Sequence, residues 1–180
     1  HLEEVADIAK YSVHHPLEDH EVDTDPYGVL VVGKDIYVAD AGNNNLLEVD
    51  KRKISTLVEF RHRTVDLFDG VPTSIALGPD GNLYVGELGS LVPGEGRVSV
   101  WTRDGAPVRA ILGLNQVTSV AVDNAGNIYC TEIGLPSGGR VLKFNAAGVL
   151  VNQVSVPMPA GVAVDNLGDR KSTRLNSSHT

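Results

Sequence analysis

The chain of 180 residues has one cysteine, one methionine and one tryptophan. With Cys130 alone, no disulfide can form within it, and the redox compartment stays open. Nowhere do about eighteen apolar residues run together, so no stretch is suited to cross a membrane as a helix. Basic residues are also few: 15 Lys and Arg stand against 23 Asp and Glu, a formal charge of −8. No basic stripe interrupts that balance, which excludes nucleic acid as the main partner. Residue 1 is His rather than Met, and no leader pattern precedes the fold, so a leader is expected to have been removed or to lie upstream. What remains is ordinary: 42% hydrophobic residues fit one globular domain.

The informative feature is repetition. The segments "PYGVLVVGKDIYVADAG", "PTSIALGPDGNLYVGELG" and "VTSVAVDNAGNIYCTEIG" align so that Tyr37, Tyr84 and Tyr129 share a column, spaced 47 and then 45 residues apart. An acid stands three residues after each tyrosine (Asp40, Glu87, Glu132) and a glycine two further on (Gly42, Gly89, Gly134). Within each unit four short β-rich runs are separated by Asn, Asp and Gly, the residues that tight hairpin turns require. In the second unit the runs fall at 73–77, 82–86, 97–102 and 107–112. The first runs, "GVLVV", "SIAL", "SVAV" and "GVAV", are apolar without alternation, so both of their faces are expected to be covered. Four-stranded meanders stacked radially achieve this at this period, and that arrangement is the β-propeller. The fold class is therefore all-β.

The phrasing at "PSGGRVLKFNAAG" and "PAGVAVDNLG" resembles the NHL-repeat family of propellers. More narrowly, "DTDPYGVLVVGKDIYVADAGNNNLLEVD" followed by "VPTSIALGPDGNLYVGELGS" is similar to the ScyD/ScyE-like family, over roughly residues 5 to 168. The resemblance implies a ring of six blades when complete, of which this chain holds about three and a half. It further implies an exported protein, secreted or periplasmic. The domain reading is residues 1–25 as an N-terminal helix and lead-in, 26–168 as partial propeller, and 169–180 as a non-native tail. In the fourth unit Asp169, Arg170 and Lys171 stand where a polar residue, an apolar residue and tyrosine are due. The string "DRKSTRLNSSH" resembles a translated sequencing adaptor, so the tail is set apart from the fold. Leu2, Val5, Ile8 and Ala9, with Glu3, Glu4 and Asp7 near the start, predict a short helix capping the propeller.

Strand alternation puts the first and third turns of each unit on one side of the disc, and the second turns and inter-unit connections on the other. The latter are longer, as at 87–96, 132–139 and 60–71, and long loops on one side of a rigid scaffold are where recognition concentrates. That side also collects Arg61, His62, Arg63, Asp66, Asp69 and Glu95. The recurring acids Asp40, Glu87 and Glu132 are read as structural, accepting hydrogen bonds within their loops. Asp25, Tyr27, Thr73, Asn115 and Thr118, where the first strands start near the axis, are the candidate ligand-binding residues. The alternative for the Thr and Tyr among them is that they satisfy backbone groups around a channel.

No residue is singled out as catalytic or metal-binding. His14, His15, His20 and His62 lack ligand-spaced partners, Cys130 replaces Val38 and Val85 in its column as a core thiol, and Trp101 is expected to pack between blades. "PGEG" at 93–96 lacks the spacing and lysine of a phosphate loop. The expected function is a binding module for a small molecule or protein on the long-loop face, without catalysis and without a cofactor. An exposed apolar patch of Leu88, Leu91, Val92 and Leu135 there would favour a protein partner. The alternative is an enzyme with an axial site, as the resemblance to gluconolactonase and strictosidine-synthase propellers implies, with calcium in the complete protein. Only Asp25 and Asn115 are visible as ligands for such an ion.

Overall fold

The computed structural model describes residues 4–16, 22–60, 69–136, 138–165 and 170–173. Arg61, His62, Arg63, Asp66, Leu2, Glu3 and His20 lie outside them, as do residues 174–180 of the tail.

Three four-stranded antiparallel sheets follow one another in chain order. The first holds β1 (Pro26–Val32), β2 (Asp35–Asp40), β3 (Asn45–Asp50) and β4 (Lys53–Glu59). In the second are β5 (Pro72–Leu77), β6 (Leu83–Glu87), β7 (Gly96–Trp101) and β8 (Pro107–Leu114). The third contains β9 (Val117–Val122), β10 (Ile128–Glu132), β11 (Arg140–Phe144) and β12 (Leu150–Ser155). A fourth, two-stranded sheet pairs β13 (Gly161–Val164) with β14 (Arg170–Thr173). The last strand comes from the tail that the sequence reading set apart. The first strands β1, β5, β9 and β13 lie beside one another in succession, so the sheets fan out from a common edge.

Turn chemistry explains the regularity. Asp80 Oδ2 accepts hydrogen bonds from Asn82 Nδ2 (2.9 Å) and from the Tyr84 hydroxyl (3.0 Å). Asp123 Oδ2 does the same for Asn127 Nδ2 (2.8 Å) and Tyr129 (3.0 Å). The recurring tyrosine thus pins its strand to the preceding turn, whose Gly81 and Gly126 take the left-handed backbone such a turn needs. In the first unit Tyr37 instead accepts from Arg103 Nε (2.9 Å), and the same guanidinium reaches Asp35 (2.7 Å), which ties the second sheet to the first.

The core lies between sheets. Tyr37, Ala39, Leu46 and Val58 of the first meet Ile75, Leu83 and Val85 of the second, with Trp101 packed against them edge-on to Phe60. Tyr84, Val98, Val100 and Leu114 then meet Val117, Val120, Ile128, Cys130, Leu142 and Phe144. Each such buried side chain contributes about 1.5–3 kcal/mol relative to exposure, so adjacent sheets depend on each other. Cys130 is fully buried, as its column predicts; burial, with the Glu132 carboxylate adding, pushes its thiol well above the ordinary value.

Two expectations need correction. The helix is shorter than the apolar spacing suggests: α1 spans Ile8–His14, with Asp7 as its N-cap accepting from Lys10 N (2.9 Å). It packs through Ala6, Ile8 and Tyr11 on the side of the first sheet, while Val5 and Ala9 face water. The second correction concerns β1, which is covered on one face only, leaving Tyr27, Val29 and Val31 about 60% exposed.

Candidate functional site

On one side of the fan, each loop between second and third strands bonds the connection that leads into a first strand. Leu88 N donates to Val71 O (2.9 Å), Ile133 N to Gln116 O (3.2 Å) and Val71 N to Asn44 Oδ1 (2.8 Å). The long loops and the connections therefore share a face. A cleft of about 380 Å³ opens there at the top of the third sheet, lined by Pro93, Asn115, Glu132, Leu135, Arg140 and Ser155 among others. Apart from Pro93, which comes from the second sheet's loop, the lining belongs to one sheet and its lead-in.

Its floor is an ion pair. Glu132 is 1% exposed and takes Arg140 Nε at 2.7 Å and Asn115 N at 2.9 Å. Arg140 stands directly across the ladder from Glu132 and is 36% exposed, so its outer edge faces the cleft. In the second sheet the same register holds Glu87 opposite Arg97, and Glu87 accepts from Arg97 and from Ser99. In the first sheet Asp40 faces Asn45 and accepts from Thr24 Oγ1 (2.8 Å), Asp25 N (2.7 Å) and Asn43 N (3.2 Å). All three recurring acids are buried and held by the protein's own donors, although for the two glutamates the main donor is an arginine across the sheet and not the loop.

The walls are gathered by Gln116, which is 1% exposed and has a left-handed backbone. Its Nε2 donates to Leu91 O (2.8 Å) and Leu135 O (3.0 Å), and its Oε1 accepts from Leu135 N (2.8 Å). One side chain thus holds two loops together at the cleft mouth. Leu91 and Leu135 are consequently exposed side chains on neighbouring loops, 53% and 45%, while Leu88 and Val92 are only partly exposed.

The five candidate residues do not converge. Tyr27, Thr73 and Thr118 each occupy the bulge near the start of a first strand, and a bulge re-aims its side chain. Thr73 Oγ1 donates to Val117 O (2.9 Å) and Thr118 Oγ1 to Pro159 O (3.1 Å), so one hydroxyl reaches the first residue of β9 and the other the lead-in to β13. Tyr27 and Asp25 are exposed at the open side of the first sheet. Asn115 alone lines the cleft, with Oδ1 occupied by Gly94 N (2.7 Å). With that oxygen engaged and Asp25 in a different sheet's lead-in, the pair does not fit a shared calcium ion; among the described residues no group of three or more His, Cys, Asp or Glu is placed to hold a metal. Gln116, Arg97 and Arg140 escaped the sequence reading. The signal for the arginines was present: where the recurring acid is Glu, the third strand begins with or beside Arg, and where it is Asp, with Asn.

Comparison with solved structures places this architecture. A gluconolactonase from Xanthomonas campestris superposes with a TM-score of 0.65 at 19% identity, over 83% of this chain and 55% of its own. A structure of a nidogen/laminin complex gives 0.62 at 20%, over 78% and 53%, and a streptogramin B lyase 0.61 at 14%, over 84% and 55%. The fold is a β-propeller. The chain spans about half the length of the propellers it matches. No protein-family model and no curated protein sequence matches it. Its three complete meanders are propeller blades, and no helix among the described residues is long and apolar enough to cross a membrane.

Proposed function

We propose that this propeller is a binding module of the ScyD/ScyE-like family, taking a small molecule or a protein segment on its long-loop face. The observation that carries the reading is the cleft of the third blade: a floor whose charges are already paired, beside the exposed Leu135 that Gln116 holds. A carboxylate buried and saturated by Arg140 and Asn115 N is suited to shape a site and offers no free base. Arg140 is engaged by Glu132 and, through Nη1, by Gln153 Oε1 (3.3 Å), so the donors left to a ligand are Asn115 Nδ2 and the Ser155 hydroxyl, and a ligand with carbonyl or hydroxyl acceptors beside an apolar part fits best. Six blades and export from the cell are part of this proposal through the resemblance alone, and calcium in the complete protein belongs to the enzymatic alternative.

The test is a thermal-shift screen of small molecules and short peptides against the native chain and Leu135→Asp. Ligands that stabilise the native chain and lose their effect in the variant support the cleft. Hydrolysis of lactones or aryl esters that needs calcium and stops on chelation replaces the binding reading with the enzymatic one.

A further inference from the structure

The buried acids of the three blades differ in what neutralises them. Register sets each acid opposite a residue at the start of its third strand: Glu87 opposite Arg97, Glu132 opposite Arg140 and Asp40 opposite Asn45. In the second and third blades a guanidinium meets the carboxylate, and the pair is neutral. In the first blade Asp40 is 0% exposed and accepts from Thr24 Oγ1, Asp25 N and Asn43 N, donors that carry no charge. Among the described residues no Lys, Arg or His forms an ion pair with it. A buried charge is normally paired or coordinates a metal ion.

A second observation points to the same place. Asn45 is 1% exposed, and its Oδ1 is buried with no hydrogen-bond partner among the described residues. The two asparagines before it are engaged: Asn44 Oδ1 accepts from Val71 N (2.8 Å), and Asn43 Nδ2 donates to Ser12 Oγ (3.4 Å). A buried acceptor that no donor reaches is rare and has a physical reason. Residues directly opposite in a ladder project from the same face with Cβ atoms about 4.5–5.5 Å apart, so the Asn45 side chain stands beside the Asp40 carboxylate. Thr24 Oγ1 gives its proton to Asp40 Oδ2 (2.8 Å), which leaves its lone pairs open. Thr24 is partly exposed, so it also marks the way in from solvent.

We propose that Asp40, Asn45 Oδ1 and Thr24 Oγ1 hold a monovalent metal cation, sodium or potassium, in the place that a guanidinium takes in the other two blades. Oxygen ligands suit a hard cation. One carboxylate balances one positive charge, as Glu132 balances Arg140; a divalent ion would leave the site positive, and among the described residues no group of three acids gathers to hold one. The ion ties the end of β2 and the start of β3 to the lead-in of β1. That corner of the first blade therefore depends on dissolved salt, whereas the second and third blades carry their own cation.

Thermal unfolding in sodium, potassium or choline chloride at equal ionic strength tests this, because general screening is the same in all three. At about ten times its half-saturating concentration a bound ion favours the folded chain about elevenfold, read as a midpoint roughly 3–6 °C above that in choline. Sodium NMR line broadening by the native chain, reversed by potassium where potassium is preferred, reports the ion directly. Asp40→Asn keeps the side-chain shape, and Asn45→Val removes the unpartnered oxygen from a strand that accepts valine. Each should abolish both the broadening and the difference between salts, whereas a purely structural role would shift the midpoint equally in all three. Equal midpoints for the native chain overturn the proposal, and so does a salt difference that survives in either variant. Should Asp40→Asn not fold, Asn45→Val against the native chain decides the matter.

Discussion

Removing the guanidinium above Glu132 probes the cleft floor most directly. In Arg140→Met the carboxylate, 1% exposed in the native chain, keeps only the Asn115 N–H of the partners described above. Breaking a buried pair from one side costs about 3–5 kcal/mol, because the remaining charge is desolvated without compensation. Arg140 is itself 36% exposed, so water reaches the vacated space and the figure falls to about 2–3 kcal/mol. Glu132→Gln keeps an acceptor for Asn115 N and leaves the arginine partly solvated, at about 1–2 kcal/mol. The double variant holds no uncompensated charge, so it should cost clearly less than the two single changes together. Urea unfolding followed by Trp101 fluorescence, the chain having one tryptophan, gives all three values. Strict additivity, or an Arg140→Met cost under about 0.5 kcal/mol, would refute the view that this pair acts as one buried unit.

Further outcomes follow from the repeat. Thr73→Val and Thr118→Val each strip a hydroxyl from a carbonyl of the next blade, and each should cost about 1 kcal/mol in thermal unfolding, with independent effects. Burial works against the Asp80 and Asp123 carboxylates, but hydrogen bonds from Asn82 and Tyr84, and from Asn127, Tyr129 and Ala125 N, outweigh it and hold both below the ordinary aspartate value. With the folded value depressed, their contribution is complete above the unfolded pKa and fades as pH falls through the folded one. Asp80→Asn/Asp123→Asn should therefore flatten the acid limb of a urea-midpoint profile below about pH 4. Cys130 should resist a thiol reagent until the chain is unfolded, and Cys130→Val, which restores the residue of Val38 and Val85, should change stability by under about 1.5 kcal/mol.

The architecture was legible because each unit writes its turns and its tyrosine in the same register, and local turn chemistry repeats wherever the letters do. Strand bounds came within one or two residues for that reason. Cys130 could be assigned to the core from its column alone. The site was less legible. Thr73 and Thr118 begin their strands as the reading required, but a bulge turns their hydroxyls toward carbonyls 44 and 41 residues away, and no single-unit pattern contains that partner. Gln116 belongs to a connection with no periodic signal, and its three bonds reach loops 19 and 25 residues distant. The helix was found, but its apolar spacing could not reveal which blade surface it would take.

The paired threonines imply something about how such a chain can lengthen. Each joins the second residue of one inner strand to the first position of the next unit, and neither bond depends on which unit that is. A duplicated segment of one period would arrive with its own hydroxyl facing forward and its own carbonyl facing back. Growth by whole repeats thus needs no new fastener at the seam, whereas a cut inside a period leaves one half of a fastener behind.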